Sequence, residues 1–571
     1  MRVKKILALV MATALVGSLC ACGSGNDDTG NQQAEASKPA DSQQESTSSE
    51  EGRSGESEIP AGFPLEEEVT LTVFAEQLSY VVDLEQNTVF QDLEEYTNVN
   101  LELTLVPSDG VAEKLNLMLS SGEYPDIIIG NGRLSNQDLE KYGVEEHILM
   151  PLNDLIDKYG TNIKERWAEH PSWEEDMKSS DGNIYGIPNS EPGEGSHGDC
   201  AYKLWINTEW LKAVGKEMPT TTEEFKDVLM AFKTQDPNGN GIADEIPLTG
   251  AIKTWAAEPY LNLLNAFGFF DTNYYYVKDG VVQSVLDQDY MKEGLKYIHD
   301  LYENGLIDSA ALTQDESQLA AIGNNEEIAI AGAATCGHVG MFVDINNAER
   351  YNQYKAMMPL KGSNGYQGMP YNKAKSISGA SFAITDTCKY PEIAIQIADL
   401  FCGDEWALRS QQGRQGETWD VSDGSICGTD GVTPAKYKYL SYKTMADADQ
   451  SVDTWDHTLR LLGSGYKYMF EVDGDIMDPK NYEARLYRDT MEMEKYAADV
   501  DPVPALTFIG EDGAVYSQIS TALGDYASNA IVEFITGTRD IDTDWNSYLA
   551  DLEKLQYKEM LDLIQKTIDA Q

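Results

Sequence analysis

Residues 233–247 read KTQDPNGNGIADEIP, with oxygen-bearing side chains spaced as a cation would need them. In an EF-hand calcium loop, positions 1, 3 and 5 supply side-chain oxygens and position 6 is Gly. Position 7 gives a backbone carbonyl and position 12 is a bidentate Glu. Asp236, Asn238, Asn240, Gly241 and Ile242 fit the first seven places. Position 12 falls on Pro247, which has no ligating side chain, so the strict pattern fails. Asp244 and Glu245, at positions 9 and 10, can supply the missing charge. Three carboxylates in ten residues repel one another without a cation. Asp-Pro-Asn-Gly is also turn chemistry in its own right, so a solvated Asx-rich turn is the competing reading. A metal here would pin a loop and take no part in a reaction.

Other chemistry is sparse. The six histidines show no HExxH-like spacing, and no GxSxG, P-loop or strand-then-GxGxxG pattern occurs. A glycosidase needs two carboxylates at a set separation, but among 96 acidic residues such pairs arise by chance. No enzyme is expected, with a surface-anchored polysaccharide-degrading enzyme as the alternative. The formal charge of -54 excludes nucleic acid, whose phosphates require clustered cations. The 31 Tyr and 9 Trp offer flat faces that suit sugar rings. The five cysteines after residue 22 show no metal-type spacing, and no disulfide is assigned.

The N-terminus carries an address. Arg2, Lys4 and Lys5 precede an apolar run from Ile6 to Leu19, which is shorter than the ~20 residues that span a bilayer. It reads as an export signal, 1–21. Leu19-Cys20-Ala21-Cys22 resembles a bacterial lipobox, which implies cleavage before Cys22 and lipidation there. Two or three acyl chains anchor stably where one is marginal. Residues 22–64, rich in Gly, Ser, Glu and Gln, form a disordered tether.

The elements that must position any site begin at Glu68. Residues 69–75 alternate as a strand and 89–96 read as a helix. A second strand is expected at 100–106, a helix at 112–121, and a buried parallel strand at 124–130. This alternation is α/β, with ligands at the carboxyl ends of strands. Tyr80, after the first strand, and Asn131 and Arg133, after the third, are therefore candidate ligand contacts. A helix follows PTTTEEF with Thr caps. Strands are expected at 326–333, 356–362 and 376–385, and a helix at 391–402. The part beyond about 430 is mainly helical, with 544–569 its clearest amphipathic stretch.

Taken in order, SGEYPDIIIG, DGNIYGIP, LWINTEWL, DPNGNGIADEIPLTG and GRQGETWD, with the lipobox and tether, resemble the extracellular solute-binding proteins of family 1. The match is to their long Gram-positive lipoprotein branch. That resemblance implies a two-lobed, periplasmic-binding-protein-like α/β fold of type II, joined by crossover hinge segments. The lobes are expected at 65–188 plus 360–430 and at 195–358 plus 431–571, with hinges near Ile187-Pro188 and Met358-Pro359. It implies a calcium ion bound to the shortened loop 236–245 as a structural cofactor. It adds Tyr202, just past the crossover, and Trp255 in the second lobe as contacts. It also places Arg414, Glu417 and Trp419, in GRQGETWD, beside the cleft. The expected function is capture of an oligosaccharide for the permease of an ABC importer by a monomer held on the outer membrane face through lipid alone. A peptide or other small polar solute is the alternative ligand.

Overall fold

The computed structural model describes residues 62–77, 86–107, 110–189, 197–252, 254–325, 327–371, 377, 379–441, 453–454, 461, 465 and 469–570. The expected signal segment, Cys22, the tether to residue 61 and Tyr80 lie outside them. Contacts divide the chain at Glu58, and the elements below all belong to Ile59–Gln571.

The strands, in chain order, are β1 (Val69–Gln77), β2 (Val99–Pro107), β3 (Ile127–Leu134), β4 (Leu204–Asn207), β5 (Ile246–Thr249) and β6 (Tyr275–Lys278). They continue with β7 (Val281–Ser284), β8 (Ala331–Thr335), β9 (Tyr354–Ala356), β10 (Ala380–Ile384), β11 (Trp419–Val421) and β12 (Tyr437–Tyr439). One sheet runs β10-β3-β1-β2. β1 lies parallel to β2, from Val69 opposite Val99 to Gln77 opposite Pro107. It is also parallel to β3, and β10 is antiparallel to β3. Val73, Phe74 and Ala75 are buried on both faces, as a central strand of such a sheet requires.

The crossover helices have legible ends. Thr88–Thr97 starts where the Asn87 side chain accepts from the Val89 N–H, and stops at Asn98 with φ 57°. Val111–Ser121 stops at Gly122 with φ 76°. Their inward faces carry Val89 and Leu93, and Leu115 and Leu119, at helical spacing. Each fully buried side chain of this kind contributes about 1.5–3 kcal/mol over an exposed one.

The second sheet runs β5-β8-β4-β9, with β5 parallel to β8 and β4 antiparallel to both its neighbours. Helix Thr222–Thr234 is capped by Thr221, whose side chain accepts from the Glu224 N–H. The Glu224 carboxylate in turn accepts from the Thr220 N–H at 2.9 Å. Its buried face is Phe225, Val228, Leu229 and Phe232. The C-terminal helices Glu511–Thr536, Trp545–Lys554 and Tyr557–Ala570 pack their Ile519, Leu523, Phe534 and Ile564 into this second core. The first core gathers residues between Leu65 and Ile187 with residues between Ile377 and Trp406, and Leu461.

The chain leaves the first sheet beside β10. The Ile187 N–H donates to the Phe382 carbonyl at 2.8 Å. The approach at Gly186 is so close that a Cβ there would lie 2.4 Å from the Ala380 Cβ.

Several expected boundaries move. The stretch 356–362 contributes only Ala356 to a strand, because Pro359 has no N–H for a ladder. The amphipathic stretch 544–569 is two helices, broken where Gln556 takes φ 62°. Residues 360–371, expected with the first lobe, pack on the second sheet's side. Asn364 donates to the Phe267 carbonyl at 2.7 Å, and the Met369 carbonyl accepts from the Ala498 N–H at 3.0 Å. The hairpin β11-β12, whose second strand was expected with the second lobe, packs with Phe470 on Ala407 and Leu408 beside the first core. Cys200, Cys336, Cys388, Cys402 and Cys427 are all free.

Candidate functional site

Two cavities share Asn273, Tyr275 and Val503 and so form one groove. The larger, about 510 Å³, lies between the loop after β3 and Gly379 on one side and Val503–Leu506, Phe508 and Tyr516 on the other. It is therefore walled by elements of both cores. The smaller, about 300 Å³, runs along the second sheet's side, past Asp199, Tyr202, Phe269, Asp271 and Tyr371.

Backbone geometry fixes the first wall. Gly132 has φ 63°, and its N–H donates to Ser381 Oγ at 2.8 Å. Gly379, at φ 71°, donates to Asn136 Oδ1 at 2.6 Å. Ser135 and Asp138 form a reciprocal cap that starts the short helix Asn136–Leu139. On the opposite wall the Tyr202 hydroxyl accepts from the Thr272 N–H at 3.1 Å and lies 3.4 Å from Asp271 Oδ2. Asp271 Oδ1 accepts the Asn273 N–H at 2.8 Å. Burial raises the Asp271 carboxyl above its ordinary value, against the lowering effect of these hydrogen bonds.

Of the described candidates, Tyr202 lines this groove. Asn131 belongs to β3, and its side chain lies outside the described residues. Arg133 turns back to the fully buried Glu76 at the end of β1. Its Nε donates to Glu76 Oε2 at 2.9 Å and a second nitrogen reaches Oε1. Gly130 leaves room for this pair, since a Cβ there would meet the Arg133 Cγ at 2.9 Å.

Trp255, in the turn after β5, is 41% exposed. Its ring lies on Gly337, where a Cβ would come within 2.1 Å of it, and 5.9 Å from the His338 ring. The His338 Nδ1 meets the Tyr482 hydroxyl. Trp255 follows the carboxyl end of β5, and Gly337 and His338 follow that of β8.

Arg414 and Trp419 have internal partners instead. Arg414 and Arg409 both grip Asp92, Arg414 Nη2 at 2.6 Å and Arg409 Nε at 2.6 Å. Burial alone would raise the Asp92 carboxyl, but the Arg414 and Arg409 hydrogen bonds outweigh it and hold it low. Trp419 is 3% exposed and its Nε1 donates to the Gly413 carbonyl at 2.9 Å. Glu417 closes the same turn through its N–H to the Arg414 carbonyl. Trp419 borders a separate hollow of about 490 Å³ with Tyr96, Trp406 and Arg409.

In the loop 236–245, Asp236 takes φ 48° and Gly239 and Gly241 take 73° and 75°. Asp236 Oδ2 accepts the Gly241 N–H at 3.1 Å, while Asn238 and Asn240 both donate to Asp244. Burial, then the neighbouring Asp244 and Asp236 charges, raise the Glu245 carboxyl. Glu245 Oε1 is buried without a hydrogen-bond partner. That orphaned acceptor and the facing carboxylates fit a hard cation. Among the described residues no three His, Cys, Asp or Glu groups are gathered tightly enough to hold a metal by themselves. A shell here would draw on the Asn oxygens and the Ile242 carbonyl as well.

Reasoning from strand ends missed Asp271, Asn273, Tyr275 and Tyr371, and the Val503–Leu506 wall. The run TNYYYV at 272–277 was the available signal: three tyrosines at a hairpin start put one ring on the face opposite the other two.

Residues 79–407 match the family model described as bacterial extracellular solute-binding protein. The fructooligosaccharide ABC transporter substrate-binding protein FusA of Streptococcus pneumoniae serotype 4 is 31% identical over 516 residues, which cover 89% of this chain and 91% of that one. The solved structure of S. pneumoniae FusA in complex with kestose superposes with a TM-score of 0.73 at 27% identity, covering 88% of this chain and 99% of that one. An EF-hand mutant of FusA in complex with fructo-nystose reaches 0.75, with the same identity and coverage.

Proposed function

Because the chain belongs to the bacterial extracellular solute-binding proteins, we propose that it captures an oligosaccharide in the groove between its two lobes and hands it to an ABC importer. The observation that carries this reading is the groove itself, walled by elements of both cores and rich in Tyr and Phe faces with Asn, Gln and Ser between them. Aromatic faces suit sugar rings and planar polar groups suit their hydroxyls. A ligand touching both walls favours the closed arrangement by its extra contacts, which is a shift of population and needs no reaction on the ligand. The chain works as a binding protein and not as an enzyme, is monomeric, and is held outside the cell by lipid on Cys22. In this reading Tyr202 is a ligand contact within the groove, and Trp255 is one beyond the residues that line its two cavities. Arg133, Arg414 and Trp419 act in this reading by holding Glu76, Asp92 and the Gly413 turn. Calcium, held by Asp236, Asn238, Asn240, Ile242, Asp244 and Glu245, would neutralise the loop's carboxylates and stiffen the connection from helix Thr222–Thr234 to β5.

Thermal unfolding with a panel of oligosaccharides tests this. A ligand at 100 times its Kd stabilises the folded state by about 2.7 kcal/mol, so one glycan should raise Tm by several degrees and be recovered uncleaved. A chelator should lower the Tm of the unliganded protein. Cleavage of the glycan, or no shift with any member of the panel, rules the reading out.

Gly337→Ala checks the Trp255 platform. The added methyl must push the ring aside, so affinity should fall about tenfold, equivalent to ~1.4 kcal/mol. Trp255→Ala should lose a similar amount by calorimetry. Unchanged affinity in both variants would remove Trp255 from the site.

A further inference from the structure

Among the described residues lining the two cavities of the groove, the charged ones are Asp199 and Asp271. Asp199 sits near the fully buried Lys203, whose ammonium donates to the Cys200 carbonyl and feels the Asp199 charge. Asp271 is held differently. Its contacts are the Tyr202 hydroxyl and the Asn273 N–H, both neutral. Burial pushes its carboxyl up, and among the described residues no cation is one of the groups that act on it. A carboxylate held this way keeps lone pairs for hydroxyl donors in the groove, and among the described residues of its wall there is no counter-charge to offer an anion. Tyr202 and Tyr275 beside it supply apolar faces.

We propose that this wall selects uncharged glycans: Asp271, with Asp199 lining the same cavity, accepts hydrogen bonds from sugar hydroxyls and turns away uronate, sulfate and phosphate groups. The inference rests on the carbohydrate reading above and adds the charge class of the ligand. Discrimination of this kind is built by placing a like charge against the wrong ligand as much as by contacts to the right one.

The test is calorimetric titration of the full chain with neutral fructo-, gluco- and galacto-oligosaccharides, each paired with its counterpart oxidised to a carboxylate at C6. The binder should be a neutral member, and its carboxylated counterpart should bind at least about tenfold more weakly at low salt, since like-charge juxtaposition costs several kcal/mol. Raised ionic strength should narrow that ratio. Asp271→Asn should narrow it further, with Tm unchanged because Asn retains an acceptor for the Asn273 N–H. A carboxylated glycan that binds as tightly as its neutral counterpart overturns the inference and leaves carbohydrate capture standing. A wild-type ratio in Asp271→Asn overturns the assignment to Asp271. Absence of binding by every member, neutral or charged, overturns both readings.

Discussion

Replacing Arg133 by Ala should cost the fold about 3 kcal/mol, because it removes the cation that grips the fully buried Glu76 carboxylate. Breaking a buried pair by removing one partner typically costs about 3–5 kcal/mol, since the remaining charge keeps its desolvation penalty. Arg133 is 34% exposed on its side chain, so water can replace part of what it provides, which points to the low end. The cost belongs to the buried charge and not to the ligand. Arg133→Met combined with Glu76→Gln should therefore recover most of the stability, because both partners are then neutral. Urea unfolding of the single and double variants measures this directly. If Arg133→Ala unfolds at the wild-type midpoint yet loses sugar binding, Arg133 is a ligand contact and the structural account is wrong.

Asp489 sets the second large effect, and its sign is opposite to the usual carboxylate. It lies on helix Tyr482–Glu494, and its Oδ2 is buried with no hydrogen-bond partner. Burial pushes its carboxyl up to about 6, against the lowering pull of Arg485, Lys203 and Lys355. The folded state therefore holds a proton between pH 4 and 6 that the unfolded chain has released, and stability falls as pH rises through that window. A shift of two units corresponds to about 3 kcal/mol. Asp489→Asn should raise stability at neutral pH and flatten the wild-type decline between pH 4 and 6. Arg485 resists any larger rearrangement there. Its guanidinium lies 4.4 Å from the Tyr351 ring and 5.6 Å from Trp205, and bonds the Tyr354 carbonyl. Denaturant titrations of both proteins across pH 4–8 would decide it. A variant less stable than wild type at pH 7.5 would mean that the ionised carboxylate is paired and useful.

Local sequence determined much of this protein. Period-two and parallel-strand patterns marked β1, β2 and β3, and a Pro start with an apolar face marked helix Pro391–Cys402, because these signals depend on neighbours a few residues away. Oxygen spacing marked the loop 236–245 for the same reason. Ordered motifs along the chain named the family, which the match over residues 79–407 bears out.

Tertiary structure alone decided what each polar or aromatic side chain faces. Arg414 and Trp419 stand in a Gly-flanked loop that looks like a binding loop, yet Asp92, 322 residues away, and the Gly413 carbonyl hold them. Arg133 was expected just past a strand end, as a ligand contact would be, but β3 runs on to Leu134 and the carboxylate of Glu76 on the adjacent strand pairs with it. Asp271 and the Val503–Leu506 wall join one groove only because helices at the C-terminus bring distant segments together. A helix or strand is chosen by spacing along the chain, whereas a binding surface is chosen by which remote groups desolvate or pair with one another.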